Sequence, residues 1–298
     1  MPKDYHMKLS PEFAGTPLRP HQTLVRWRDT KNYAAATGDN NPLYFDDQRQ
    51  QGILAPPMFC VALTWPVSEN LGENILAENF PEEHLRTMVH YTEHLEIHRP
   101  LRPGDSLVIN GAIAAIRSHW TGTHVIIRFE AQDGQGRPVF TEHIGGLLRG
   151  VKCGGESRTT GNVPEIARYR EKGRTPEWKR VLDIDPLFTY IYDGCSDIFF
   201  PIHTSEKFAR SVGLPGIIVQ GTATLALAVR EITNAFAGAD PSRIRTIACR
   251  FTDMVLPASS ITVEADRAGS DQAAGQVLFR VINENGKKAI SDGTVIIE

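Results

Sequence analysis

Hydrophobic and polar positions change their period several times along the chain, and the changes occur twice in the same order. In the first half a short apolar segment at residues 23–27 leads into a helix-like stretch at 29–37. A turn cluster, Gly38-Asp39-Asn40-Asn41-Pro42, follows. After Pro56-Pro57 an apolar run over 58–67 has the length of a buried helix. From Thr87 the period drops to two: His90, Thr92, His94, Glu96 and His98 alternate with Tyr91, Glu93, Leu95 and Ile97, which predicts a strand. Three more strands are expected at 106–116, 123–132 and 138–149, with turn signals at Arg102-Pro103-Gly104-Asp105 and Asp133-Gly134.

The second half repeats this order. A short strand at 181–184 and a helix-like 187–192 precede the turn cluster Asp193-Gly194-Cys195-Ser196-Asp197. Pro215-Gly216 precedes an apolar, helix-length run over 217–232. Strands are then expected at 246–252, 261–268, 275–283 and 288–297, with Asn285-Gly286 as a tight hairpin. An apolar helix without a polar face has to be surrounded, so a curved antiparallel sheet wrapped around each helix is the natural packing. The pattern therefore predicts two copies of one α+β unit. The expected division is residues 1–152, a polar linker at 153–176 with room for one short exposed helix, and residues 177–298. The charged run from Arg168 to Arg174 falls in that linker.

Composition narrows the functional classes. The chain has 298 residues, 41% of them hydrophobic, enough for two ordinary cores. A net charge of -3 gives no footing for nucleic acid. No apolar run approaches the ~20 residues of a membrane span, and no apolar segment follows the charged N-terminus, so a cytoplasmic protein is expected. Cys60, Cys153, Cys195 and Cys249 are scattered without a CxxC pair, as free thiols in a reducing compartment would be. His90, His94 and His98 would line a metal stripe on a helix, but their alternation places them along a strand face, and no metal site is expected.

Chemistry is concentrated in two matching segments. One is Tyr33-Ala34-Ala35-Ala36-Thr37-Gly38-Asp39-Asn40-Asn41-Pro42-Leu43-Tyr44. The other is Tyr192-Asp193-Gly194-Cys195-Ser196-Asp197-Ile198-Phe199-Phe200-Pro201-Ile202-His203. Together with Leu54-Ala55-Pro56-Pro57, the phrase from His98 to Asp105, and the stretch from Pro215 to Thr222, they resemble the MaoC-like (R-specific) enoyl-thioester hydratase and dehydratase family in its two-repeat form. That resemblance covers nearly the whole chain. It implies a double hot-dog fold, with catalysis in the C-terminal copy and an altered, substrate-positioning N-terminal copy.

The implied reaction interconverts an (E)-2-enoyl thioester and a (3R)-3-hydroxyacyl thioester carried on coenzyme A or acyl carrier protein. No other cofactor is implied, and the two repeats would pair as an intramolecular pseudo-dimer, alone or in a homodimer. Two proton transfers are needed, and a histidine titrating near neutrality beside a carboxylate suits them. His203 and Asp197 are the candidates. The plain alternatives are a capping or core histidine and a turn aspartate. Gly221 N–H, at the start of the second apolar helix, is the candidate donor for the thioester oxyanion, with Gln220 and Ser196 beside it. Asp39, Asn41 and Tyr44 are the counterparts in the first copy, where a phenol of ordinary pKa ~10 replaces imidazole and makes a poor base. The spacing of six between Asp197 and His203, with Phe199-Phe200 in the region where the family has asparagine, departs from the family's spacing of five. A hot-dog thioesterase and a non-catalytic acyl-thioester binding subunit remain the alternative readings.

Overall fold

A computed structural model describes residues 7–169, 175–268 and 275–298. Its strands are β1 (Lys8–Leu9), β2 (His21–Leu24), β3 (Met88–Ile97), β4 (Ser106–His119), β5 (Gly122–Asp133), β6 (Pro138–Arg149), β7 (Lys152–Cys153) and β8 (Arg158–Thr159) in the first part of the chain. The second part holds β9 (Trp178–Asp183), β10 (Ile244–Phe251), β11 (Ser260–Arg267), β12 (Gln276–Asn283) and β13 (Lys288–Ile297). The helices are α1 (Trp27–Ala36), α2 (Pro42–Phe45), α3 (Phe59–Glu69), α4 (Leu71–Asn74), α5 (Phe188–Ser196), α6 (Glu206–Ser211) and α7 (Gly221–Phe236).

One 11-stranded sheet runs β2-β4-β5-β6-β3-β10-β13-β12-β11-β9, with β8 added along β4. Read from either end, the order is the same: the first strand of a repeat at the edge, its last three in a meander, and β3 or β10 at the centre. The repeats meet where β3 pairs antiparallel with β10, from Thr246 opposite Glu96 to Arg250 opposite Thr92. Such pairing relates the halves by an approximate two-fold axis. Each half carries a central helix, α3 or α7, on the sheet's inner face, and the two half-cores merge into one apolar cluster. This is the α+β double hot-dog arrangement that the resemblance implies.

The expected strands and the α1 and α3 helices lie where periodicity puts them, within a few residues. Two helices differ. The run at 217–232 becomes helical only at Gly221, because the amides of Ile218 and Val219 bond to Ile202 O and Val255 O and hold that stretch extended. Residues 193–196, expected as a turn, extend α5 instead. Ser196 Oγ bonds back to Tyr192 O at 2.6 Å, and the helix ends one residue later. No helix occurs in the described part of 153–176. Lys152–Cys153 pairs with β1, Arg158–Thr159 pairs with β4, and Arg250 holds Ile166 O. Of the charged run from Arg168 to Arg174, residues 170–174 lie outside the described residues.

Beside the seam, β3 and β6 place two carboxyl groups, Glu93 and Glu142, wholly inside the protein. His90 Nε2 lies 3.2 Å from Glu93 Oε2. Burial pushes Glu93 up to about 8 and Glu142 well above the carboxylate range. Folding therefore retains protons that the unfolded chain would release near the ordinary glutamate value. The stability this provides is lost as pH rises through the folded values. Burial has the opposite consequence for His90, His124, His143 and His203, each held at about 4 against 6.5. Their contribution grows with pH up to about 6.5 and is constant above it. The melting temperature should accordingly rise towards pH 6.5 and fall from there to pH 8. The fall should be shallower in Glu93→Gln. A wild-type melting temperature that is flat or rising between pH 6.5 and 8 would contradict this assignment.

Candidate active site

In the second repeat, α5 ends and the chain turns back through a short 3-10 segment, Pro201–His203, towards the mouth of α7. His203 is drawn inward by one bond, between its Nδ1 and Ile218 O, at 2.8 Å. A carbonyl only accepts, so Nδ1 carries the proton and Nε2 is left with a lone pair. Burial holds the imidazole at about 4, partly offset by that bond, so the ring is neutral across the physiological range. Ile218 lies three residues before Gly221, the first residue of α7. The first amides of α7 have no intrahelical acceptors and carry the favourable end of the helix dipole. A Cβ at Gly221 would come within 3.2 Å of the Phe251 ring, so glycine is also needed there for packing.

Several polar atoms near this mouth are buried and lack hydrogen-bond partners among the described residues: Thr189 Oγ1, Asp193 Oδ1 and Gln220 Oε1. Gln220 is itself fixed by donating from Nε2 to Thr189 O at 3.1 Å. Behind it, Tyr192 meets Tyr33 of the first repeat, hydroxyl to hydroxyl, at 3.1 Å. Buried polar atoms left in this state normally mark a place where water or a ligand binds.

The other residues expected from sequence are placed as follows. Asp197 is exposed, in a left-handed conformation (φ 55°) as the C-cap of α5, and no hydrogen bond or ion pair joins it to His203. The charges it influences are Asp193, one turn back on α5, and Arg26, across the junction with α1. Ser196 is buried, but its hydroxyl is used at the helix end, donating to Tyr192 O and accepting from Ile198 N–H. Phe199 and Phe200 are half-exposed, and Phe200 meets Phe208 edge-on with centroids 6.3 Å apart.

In the first repeat, Asp39 accepts from Asn41 N–H, and its carboxyl is raised by burial against the opposing pull of Arg230. Asn41 caps α2 through Leu43 N–H and reaches Ala239 O at 2.7 Å. Tyr44 is buried against Ala34 and Leu54, and burial holds its phenol well above its ordinary value. These side chains are engaged in joining the first repeat to the end of α7. Sequence reasoning passed over Asp193, treating it as one residue of a turn cluster. The signal that finds it is the register between the two copies.

Two further features lie outside this constellation. A cleft of about 400 Å³ on the first repeat has Trp27, Ile53 and Arg102 among its walls, and none of the residues expected for chemistry. Arg102 donates to Gln51 O, whereas Arg99 is paired with Asp105 and Arg137 with Asp133. Among the described residues no helix is long and apolar enough to cross a membrane.

Gln220 offers a check on the buried network. Replacing it with Leu removes the donor to Thr189 O and should lower unfolding stability by about 1–2 kcal/mol, measured by urea denaturation. An unchanged midpoint would show that Thr189 O finds another donor.

Comparison with known proteins finds similarity along both repeats. Residues 171–288 match the MaoC like domain, and residues 12–142 match the FAS1-like dehydratase domain region. A fatty acid synthase beta subunit of Emericella nidulans is 34% identical over 121 residues, 40% of this chain and 6% of that protein. The peroxisomal multifunctional enzyme type 2 of Drosophila melanogaster is 24% identical over 229 residues, 75% of this chain and 37% of that enzyme. The chain thus spans well under half the length of these two relatives. The peroxisomal enoyl-CoA hydratase 2 of Arabidopsis thaliana is 26% identical, over 59% of each protein. Among solved structures, a MaoC-like dehydratase from Phytophthora capsici superposes with a TM-score of 0.82 at 22% identity, covering 96% of this chain and 97% of that one. The chain thus carries a FAS1-like dehydratase region in its first repeat and a MaoC-like dehydratase domain in its second, on the double hot-dog fold.

Proposed function

We propose that this protein adds water across the double bond of an (E)-2-enoyl thioester, or removes it from the 3-hydroxyacyl thioester, with His203 as the base. The observation that carries the reading is a neutral imidazole with a free Nε2, fixed through Ile218 O just ahead of the first amides of α7. Hydration needs a base for the attacking water and donors for the charge that grows on the thioester oxygen. His203 Nε2 supplies the first and Gly221 N–H the second. The reaction is proton transfer and carbon–oxygen bond formation alone, so no cofactor is required beyond the substrate's own carrier.

Relatives named enoyl-CoA hydratase support coenzyme A as that carrier, and the resemblance supports R configuration in the product. The half-exposed Phe199 and Phe200 fit an apolar acyl chain near the site. The cytoplasmic placement expected from the sequence is kept as part of this proposal, although two of the relatives are peroxisomal by name.

His203→Ala, verified as folded by circular dichroism, should lose at least ~10² in kcat/KM for a 2-enoyl-CoA, followed by loss of enoyl absorbance. Wild-type turnover in that variant, or release of free thiol by the native protein, would remove the assignment. The pH profile is a second check. With the free imidazole at about 4, the base stays competent in mild acid, and the acid limb of kcat/KM should lie well below the ordinary histidine value of 6.5. An acid limb centred near 6.5 would contradict a half-buried, neutral base.

A further inference from the structure

The two repeats can be aligned residue by residue around the site, and the alignment changes which carboxylate faces His203. Tyr33 and Tyr192, whose hydroxyls meet at the two-fold axis, are 159 positions apart. The same shift pairs Gly38 with Asp197, each in the left-handed conformation that ends its helix, at φ 63° and 55°. It pairs Pro42 with Pro201, each opening a short helical turn, and Tyr44 with His203 within those turns. In this register Asp39 corresponds to Ile198, and Asn41 to Phe200. Asp197 therefore occupies the place of a helix-ending glycine, not the place of Asp39, and it lies exposed at the surface.

The register also pairs Ala34 with Asp193. In the first repeat Ala34 packs in one cluster with Tyr44 and Leu54. In the second, α5 packs against the turn that carries His203, and Asp193 holds the position of Ala34 on that helix. Its Oδ1 is buried and without a hydrogen-bond partner among the described residues. Electrostatics place the two carboxylates alike. Asp39 is influenced by Arg230 and Glu231, on the later turns of α7, and Asp193 first by Asp197, four residues along the chain, and then by Glu69, the last residue of α3. Each carboxylate thus faces the central helix of the opposite repeat.

We propose that Asp193, not Asp197, is the carboxylate that works opposite His203, having taken over the role of the position now filled by Ile198. The inference rests on the hydratase reading given above. In the hydration direction, His203 Nε2 takes a proton from water as the water oxygen bonds to C3. The electron pair of the double bond moves towards the thioester carbonyl. The Asp193 carboxylate steadies the imidazolium this creates, and the imidazolium then gives its proton to C2, which returns His203 to its neutral form and completes the cycle.

Steady-state hydration of a 2-enoyl-CoA by folded variants tests this. Asp193→Asn should lose about 10² or more in kcat, while Asp197→Asn stays within about twofold of wild type. The reverse pattern overturns the proposal. A second readout does not need turnover: the His203 ring, assigned in NMR spectra by its loss in His203→Gln, is titrated in both variants. Asp193→Asn should lower its apparent pKa by about half a unit or more, because a neighbouring negative charge is removed, and Asp197→Asn should leave it unchanged. An unmoved His203 in Asp193→Asn refutes the proximity, whether or not the protein hydrates enoyl thioesters. An inactive wild type with a responsive His203 would instead refute the hydratase reading and keep the pairing.

Discussion

Antiparallel pairing of β3 with β10 turns two half-sheets into one, and the rest of the molecule follows from it. Neither half could bury its central helix alone, because five strands cover only one side of it. Once Leu95 sits opposite Ile247 and Glu93 opposite Cys249, the two helices share one core and α1 comes against α5. The Tyr33–Tyr192 contact then falls on the axis, and the turns that follow α1 and α5 are carried to opposite ends of the pseudo-dimer. A site at the mouth of α7 is thus built partly by the first repeat, even though the reacting groups proposed for it come from the second.

Duplication leaves two such places, and the chain has treated them differently. In the first, Asp39 and Asn41 are tied into hydrogen bonds and Tyr44 is a buried phenol that stays protonated. In the second, polar residues have been exchanged for Ile198, Phe199 and Phe200, while His203 keeps a free nitrogen. The low dielectric that makes the imidazole neutral also strengthens the pull of the α7 amides on a developing negative charge. Packing and chemistry are served by the same burial.

Much of this was legible in the sequence. Period-two alternation and hairpin signals located the strands well, since their side chains face a core on one side only. Helix limits were less visible. Nothing local reveals that Ile218 and Val219 spend their amides on Ile202 and Val255, or that Ser196 closes one more turn of α5. His203 and Gly221 were singled out by type and context, and the bond to Ile218 O sets the imidazole just ahead of α7. Asp197 was picked as the carboxylate nearest the expected spacing, and its left-handed, exposed setting emerges only when the helix end is seen. Glu93 shows the limit of pattern reading: alternation set it in register with Leu95 and Ile97, but a wholly buried carboxyl is a fact of three-dimensional packing.

The claim at the centre of this account is that water adds to C3 of a thioester that itself stays intact. Equilibrating a 2-enoyl-CoA with the protein in oxygen-18 water, and reading the product by mass spectrometry, tests it most directly. The account predicts heavy oxygen in a 3-hydroxyacyl-CoA, with the label lost when His203 is replaced. Label in a free carboxylic acid, or none in any product, would contradict it.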